Sequence, residues 1–155
     1  MDKIVRLIKA SPYSIHDLSA VGLDAINQLA RFNMPFELGL TLGLRAAGGD
    51  HARHTVLILE RDKYTYQKCL SDIAGQDLQA HGGDVGQVIL KVRNWLRTEA
   101  GLDLPGPKQI LTDLDSFRSA LNRSCEDAGL RRDDMPFSEL VSLQLRFLET
   151  ANQHR

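Results

Sequence analysis

Cysteine and aromatic residues are scarce in this sequence: two Cys in 155 residues, and Phe, Trp and Tyr together only 6%. Cys69 and Cys125 lie far apart, which excludes a disulfide framework and any metal-type spacing and predicts two free, buried thiols in a reducing cytoplasm. Charge of one sign is not in excess either, since 19 Lys and Arg face 20 Asp and Glu for a net of −1. A clustered basic surface is what draws nucleic acid or an anionic membrane, so neither is expected as a partner. No apolar run reaches the length of a bilayer span. The opening MDKIVRLIKAS is amphipathic, unlike the continuous apolar stretch of a signal peptide. With 12 Gly and 5 Pro, collagen-like and low-complexity chains are excluded as well. What is present, 43% hydrophobic and 25% charged residues, describes a soluble globular chain able to bury a core.

Ile4, Val5, Leu7 and Ile8 recur at helical spacing behind Asp2, and Ser11-Pro12 closes that segment. YSIHDLS then reads as a strand, and 20–33 as a loop with one irregular turn. FELGLTLGLRAAGG reads as a helix with Pro35 just inside its start and Gly48-Gly49 at its end, its Gly39 and Gly43 leaving one face thin enough for close packing. HTVLILE contains four consecutive apolar residues, Val56 to Leu59, the mark of a strand buried on both faces of a parallel sheet. Strand, helix and strand in that order predict a βαβ unit. Past a helical turn over DKYTYQKCLSDIA and a loop or edge strand over GQDLQAHGGD, the segment from Val85 forms a helix capped by Asp84 and stopped by Gly101. GLDLPGPKQ marks a boundary between an α/β part, 1–101, and a C-terminal helical hairpin, 106–155. In the hairpin Ile110, Leu114, Phe117, Leu121 and Cys125 form one face, and Phe137, Leu140, Val141, Leu145 and Leu148 the other. The hairpin is expected to pack on the sheet or on a second copy of the chain.

In an open parallel sheet ligands bind beyond the carboxyl ends of the strands. That rule selects His16 to Ser19 and Arg31 to Glu37. Were Asn33 or Met34 the helix cap, Glu37 would lie in the first turn, where the helix dipole favours a carboxylate. Such a group can act as nucleophile or as counter-charge to a ribosyl oxocarbenium ion, and it can equally be a plain cap. Asp17 at a strand end suits a sugar hydroxyl or a turn, with His16, on the opposite side of the strand, a satisfied structural histidine. Asp72, Gln76, Asp77 and His81 fall close enough in sequence for one hydrogen-bonded cluster, with Gly75, Gly82 and Gly83 opening backbone amides to a ligand. No metal site is expected among them. Tyr64 and Tyr66 either stack on a base or simply pack.

DKIVRLI, YSIHDLS, RFNMPFELGLTLG and HTVLILE, in that order, resemble the nucleoside 2-deoxyribosyltransferase-like and TIR-like group of bacterial proteins. In that group a helix precedes a strand ending in D-L-[ST], an Asn-containing loop leads to an [FY]-E-L-G helix, and a hydrophobic strand follows. Asp17-Leu18-Ser19, Asn33 and Phe36-Glu37-Leu38-Gly39 occupy those positions, and YQKCLSDIAGQDLQAHGGD is similar to a TIR-like branch of the group. The resemblance covers roughly residues 1 to 98, and its order of several motifs is its specificity. It implies a flavodoxin-like or TIR-like three-layer α/β fold with a small, mostly parallel sheet, here without the group's N-terminal strand and helix. It further implies hydrolysis or transfer of the N-glycosidic bond of a nucleoside or of a nucleotide such as NAD. By motif match Glu37 is catalytic and Asp17 assists; Asn33, Ser19, Arg31, Phe36, Gln76 and Asp77 are the candidate ligand-binding residues. No cofactor is required, NAD entering only as substrate. The alternative is a non-catalytic, self-associating TIR-like interaction module, and a homo-oligomer is expected in either case.

Overall fold

Val56 to Leu59 have no polar residue to turn toward water, and they form the middle of the sheet. The computed structural model describes residues 2–22 and 30–153, and half of the loop expected over 20–33 falls outside them. Strand β2, Thr55–Glu60, lies between β1, Tyr13–Asp17, and β3, Leu78–Ala80, and pairs with both in parallel. The register sets Ser14 beside Val56, His16 beside Ile58, and Ile58 beside Leu78. Side chains alternate across a strand, so Ser14, His16, Val56 and Ile58 share one face, and Tyr13, Ile15, Asp17, Leu57 and Leu59 the other.

Helix α1, Asp2–Ala10, precedes β1, and α2, Asn33–Ala47, makes the crossover from β1 to β2. Leu38 of α2 packs with Leu18, Ile58 and Tyr66 into the main core, flanked by Met34, Leu42, Val56, Leu70, Ile73 and Leu78. The β2 to β3 connection, with 3-10 turns at Thr65–Lys68 and Ser71–Ile73, thus covers the same face as α2. Helix α3, Val85–Ala100, covers the opposite face, where Trp95 meets Tyr13 edge-on at 5.8 Å. Asp84 caps α3 by accepting the Gln87 amide at 2.9 Å, and Gly101, in the left-handed region, ends it. Helix, sheet and helix make the expected three-layer α/β arrangement, with helices following toward the C-terminus.

The chain divides into two compact units, Met1–Leu104 and Pro105–Arg155. The second contains α4, Pro107–Asp127, and α5, Phe137–Gln153, whose Phe117 and Phe147 rings meet at 5.4 Å. Phe117 and Phe147 stand at similar distances along the chain on either side of the turn at Arg132–Asp134, as in an antiparallel hairpin.

Several expectations about packing are corrected. Gly39 and Gly43 are exposed, with open space where a Cβ would stand, because α2 turns Leu38 and Thr41 inward. On α5, Phe137, Leu145 and Leu148 are exposed, and Phe147 meets α4, so the inward stripe is rotated from the expected one. Cys125 is buried, but Cys69 is exposed beside the 3-10 turn that holds its sulfur near the Tyr66 carbonyl. Tyr66 is core, whereas Tyr64 is exposed in a left-handed conformation, φ 66°. No helix among the described residues is long and apolar enough to cross a membrane.

Candidate functional site

Beyond Asp17 the β1 backbone keeps one more bond to β2, Leu18 N–H to the Leu59 carbonyl at 2.8 Å, and then turns away. The Asp17 carboxylate closes that turn, its Oδ1 accepting the Ser19 amide at 2.9 Å and the Ser19 hydroxyl at 2.5 Å. The Arg31 amide bonds the Ala20 carbonyl at 3.3 Å, which returns the chain to the same strand end just before α2 starts. A cleft of about 290 Å³ results, lined by Asp17, Ala20, Val21, Arg31, Asn33, Met34, Pro35 and Glu37.

Phe32 precedes the first helical residue and offers no side-chain cap, so Glu37 is the fifth residue of α2 and not in its first turn. The helix begins earlier than the dipole argument requires, and the dipole's hold on Glu37 is correspondingly weaker. Position supplies what the dipole does not. Helical side chains lean toward the N-terminus, so Glu37 lies over the turn that begins at Asn33, and both face the cleft.

Partial burial pushes the Asp17 carboxyl up, but the Ser19 hydroxyl and amide bonds and the nearby His81 outweigh it, leaving the group below its ordinary range. Asp17 is therefore ionised at neutral pH and, with its side chain 46% exposed, open to the cleft. His81, buried directly after β3, places Nε2 2.9 Å from Ser19 Oγ and 3.6 Å from Asp17 Oδ1. Its Nδ1 accepts the Gly83 amide at 3.1 Å. Ser, His and Asp here are no hydrolase triad. In a triad the acid holds Nδ1 and Nε2 accepts the serine proton, whereas here Nδ1 is occupied by an amide donor and Asp17 and Ser19 approach the same nitrogen.

His16, expected to be satisfied, is so on one nitrogen only. Nε2 lies 3.1 Å from Ser14 Oγ and 3.4 Å from Thr41 Oγ1, while the buried Nδ1 has no hydrogen-bond partner among the described residues. Burial, then the neighbouring His54, push its pKa down to about 4. His54 completes the row, its Nε2 2.9 Å from the same Ser14 hydroxyl.

Of the sequence candidates, Asp17, Arg31, Asn33 and Glu37 share the cleft and Ser19 supports Asp17 from behind. Phe36 is 49% exposed at the start of α2 and is not among the lining residues. Gln76 and Asp77 stand elsewhere: Gln76 accepts from Arg45, at the far end of α2, at 3.4 Å, and Asp77 borders a separate cleft with Gln79, Lys91 and Trp95. The expected cluster of Asp72, Gln76, Asp77 and His81 gives way to the pairing of His81 with Ser19. The Gly82 and Gly83 amides serve the Arg61 carbonyl and the His81 ring, not a ligand. Sequence reasoning passes over Glu60, the buried last residue of β2, which accepts the Tyr64 amide through Oε1 at 3.0 Å and so holds that residue in its left-handed turn. A carboxylate ending an apolar strand was the available signal. Among the described residues no group of three or more His, Cys, Asp or Glu stands close enough to hold a metal ion.

Compared with protein-family models, curated proteins and solved structures, the chain finds no match in any of the three.

Proposed function

We propose that the cleft at the end of β1 binds a nucleoside or nucleotide and breaks or transfers its N-glycosidic bond, in the manner of TIR-like and deoxyribosyltransferase-like proteins. One observation carries the reading: two carboxylates, a guanidinium and an amide, from Asp17, Glu37, Arg31 and Asn33, line one cleft at the carboxyl end of a parallel sheet. Its volume lies near the lower end of ligand sites, which run from about 300 to 1,000 Å³. Each group has a chemical use. Ionised Asp17 accepts a sugar hydroxyl, and Arg31 neutralises a phosphate where the substrate has one. Glu37 forms a bond to the anomeric carbon as the bond from that carbon to the base breaks; the electron pair goes to the base, which leaves NAD as neutral nicotinamide or leaves a deoxynucleoside as an anion that takes a proton from water. Water or an acceptor base then displaces Glu37 and restores the carboxylate. NAD and 2′-deoxynucleosides are the substrates to offer.

Release of nicotinamide from NAD, or of base from deoxynucleosides, is the test, followed by chromatography. Glu37→Gln is expected to lower turnover by at least about 100-fold, the scale of removing a group that acts at the reacting centre. No release by the wild type, or equal release by Glu37→Gln, overturns the reading.

A second reading, a self-associating module without catalysis, is favoured by the edge of β1. Among the described residues β1 pairs on one side only, and Ile15 on it is 42% exposed, which suits strand addition by another copy. Sedimentation velocity decides: a mass that rises with concentration supports assembly, and a monomer at every concentration excludes it.

A further inference from the structure

Among the described residues, Asp17 meets its partners through one of its two carboxylate oxygens. Oδ1 takes both Ser19 bonds, and His81 Nε2 stands nearest the same atom. The direction of each proton follows from the one donor that has no choice. A backbone amide only donates, so the Gly83 N–H fixes His81 Nδ1 as an acceptor, and in the neutral ring the proton sits on Nε2. Nε2–H therefore donates to Ser19 Oγ, and the Ser19 hydroxyl sends its own proton to Asp17 Oδ1.

From this geometry we infer that His81 is a positioning residue: acting through Ser19, it occupies Oδ1 of Asp17 and leaves Oδ2 as the single acceptor offered to a ligand hydroxyl in the cleft. That the hydroxyl belongs to a sugar rests on the proposed N-glycosidic reading; the proton chain does not. The backbone around His81 is built for the purpose. The His81 amide bonds the Glu60 carbonyl at 2.9 Å and the Gly82 amide the Arg61 carbonyl at 2.8 Å, so the ring is anchored to the central strand. Gly82 and Gly83 then both take positive φ, 64° and 76°, and this double left-handed curl returns the Gly83 amide to the ring it has just left.

The test begins without any ligand. Nitrogen-15 spectra of the wild type should show His81 as the Nε2–H tautomer at neutral pH; the Nδ1–H tautomer overturns the proposal. In His81→Leu the Asp17 carboxyl, followed by carbon-13 NMR, should titrate at higher pH than in the wild type. His81→Gln, whose amide nitrogen reaches the Nε2 position, should restore the part of the shift that comes from the hydrogen bond and not the part that comes from charge. An Asp17 titration unchanged in both variants overturns the positioning role. Should the leucine variant fail to fold, the tautomer and the glutamine variant decide. With substrate, His81→Leu is expected to raise KM about tenfold while kcat changes less, the scale of one hydrogen bond to a charged group. If the wild type releases no base and yet the tautomer and Asp17 titrations behave as stated, the positioning of Asp17 stands and the N-glycosidic reading alone fails.

Discussion

The molecule contains two histidine–serine contacts that are nearly identical in length and different in every consequence. His16 and Ser14 meet at 3.1 Å under α2, and His81 and Ser19 at 2.9 Å at the carboxyl end of the strands. The first contact continues inward, to His54 on one side and Thr41 on the other, and ends at the Glu37 carbonyl, which accepts the Thr41 hydroxyl at 2.9 Å. Everything in that row is buried or partly so, and burial holds its histidines neutral. The second contact continues outward to a half-exposed, ionised carboxylate that lines a cleft. A His–Ser pair is thus not a functional signature by itself. What stands at the end of its hydrogen-bond chain, a backbone carbonyl or an open anion, decides whether it holds the fold or presents a group to a ligand.

Acid is expected to break the buried pair first. The His16 pKa is pushed down to about 4 in the folded chain, from 6.5 in the unfolded one, so the unfolded state binds more protons between those values. The stabilisation is complete above pH 6.5 and is lost as pH falls toward 4, a loss of about 3 kcal/mol by linkage. Urea unfolding at pH 7 and at pH 4.5 checks it; a stability that does not change across that interval contradicts the burial of His16. Next in size is Ser14→Ala, which removes the partner shared by His16 and His54 and should cost about 2 kcal/mol, an unpaired buried group being dearer than a lost bond. Ser19→Ala should sharpen the contrast. Water can replace a hydroxyl beside a half-exposed carboxylate, and His81 Nε2–H keeps Asp17 Oδ1 within 3.6 Å as an acceptor, so the stability cost is expected below about 1 kcal/mol while ligand affinity falls, and calorimetry beside urea unfolding separates the two. Smallest is Phe36→Ala: the ring is half-exposed outside the main core, and a change within about 0.5 kcal/mol is expected.

The parts of this arrangement that could be read from the sequence are those governed by local patterns. Four apolar residues in a row identified the central strand, Asp84 and Gly101 marked the limits of α3, and the strand-end rule brought Asp17, Asn33 and Glu37 to one end of the sheet. What stayed hidden depends on side chains that meet across the sheet. His81 lies 62 positions from Ser19, and only the parallel pairing of three strands brings them together. The rotation of a helix about its own axis was equally out of reach. Leucines alternate along α2 and cluster on α5, so several inward stripes satisfy the same pattern, and packing chose Leu38 with Thr41 on one and Phe147 on the other. Glu37 shows the same limit at a finer scale, since one or two residues of difference in where α2 starts move it out of reach of the strongest dipole effect without moving it out of the cleft.

Ligand binding in the cleft between Asp17 and Glu37 is the central claim. Amide chemical-shift mapping of the uniformly nitrogen-15-labelled chain, titrated in turn with NAD and with a 2′-deoxynucleoside, tests it most directly. At least one of the two should produce saturable shifts concentrated at Asp17, Ser19, Arg31, Asn33 and Glu37, lost in Asp17→Asn. Shifts that cluster elsewhere, or none with either compound at millimolar concentration, would contradict it.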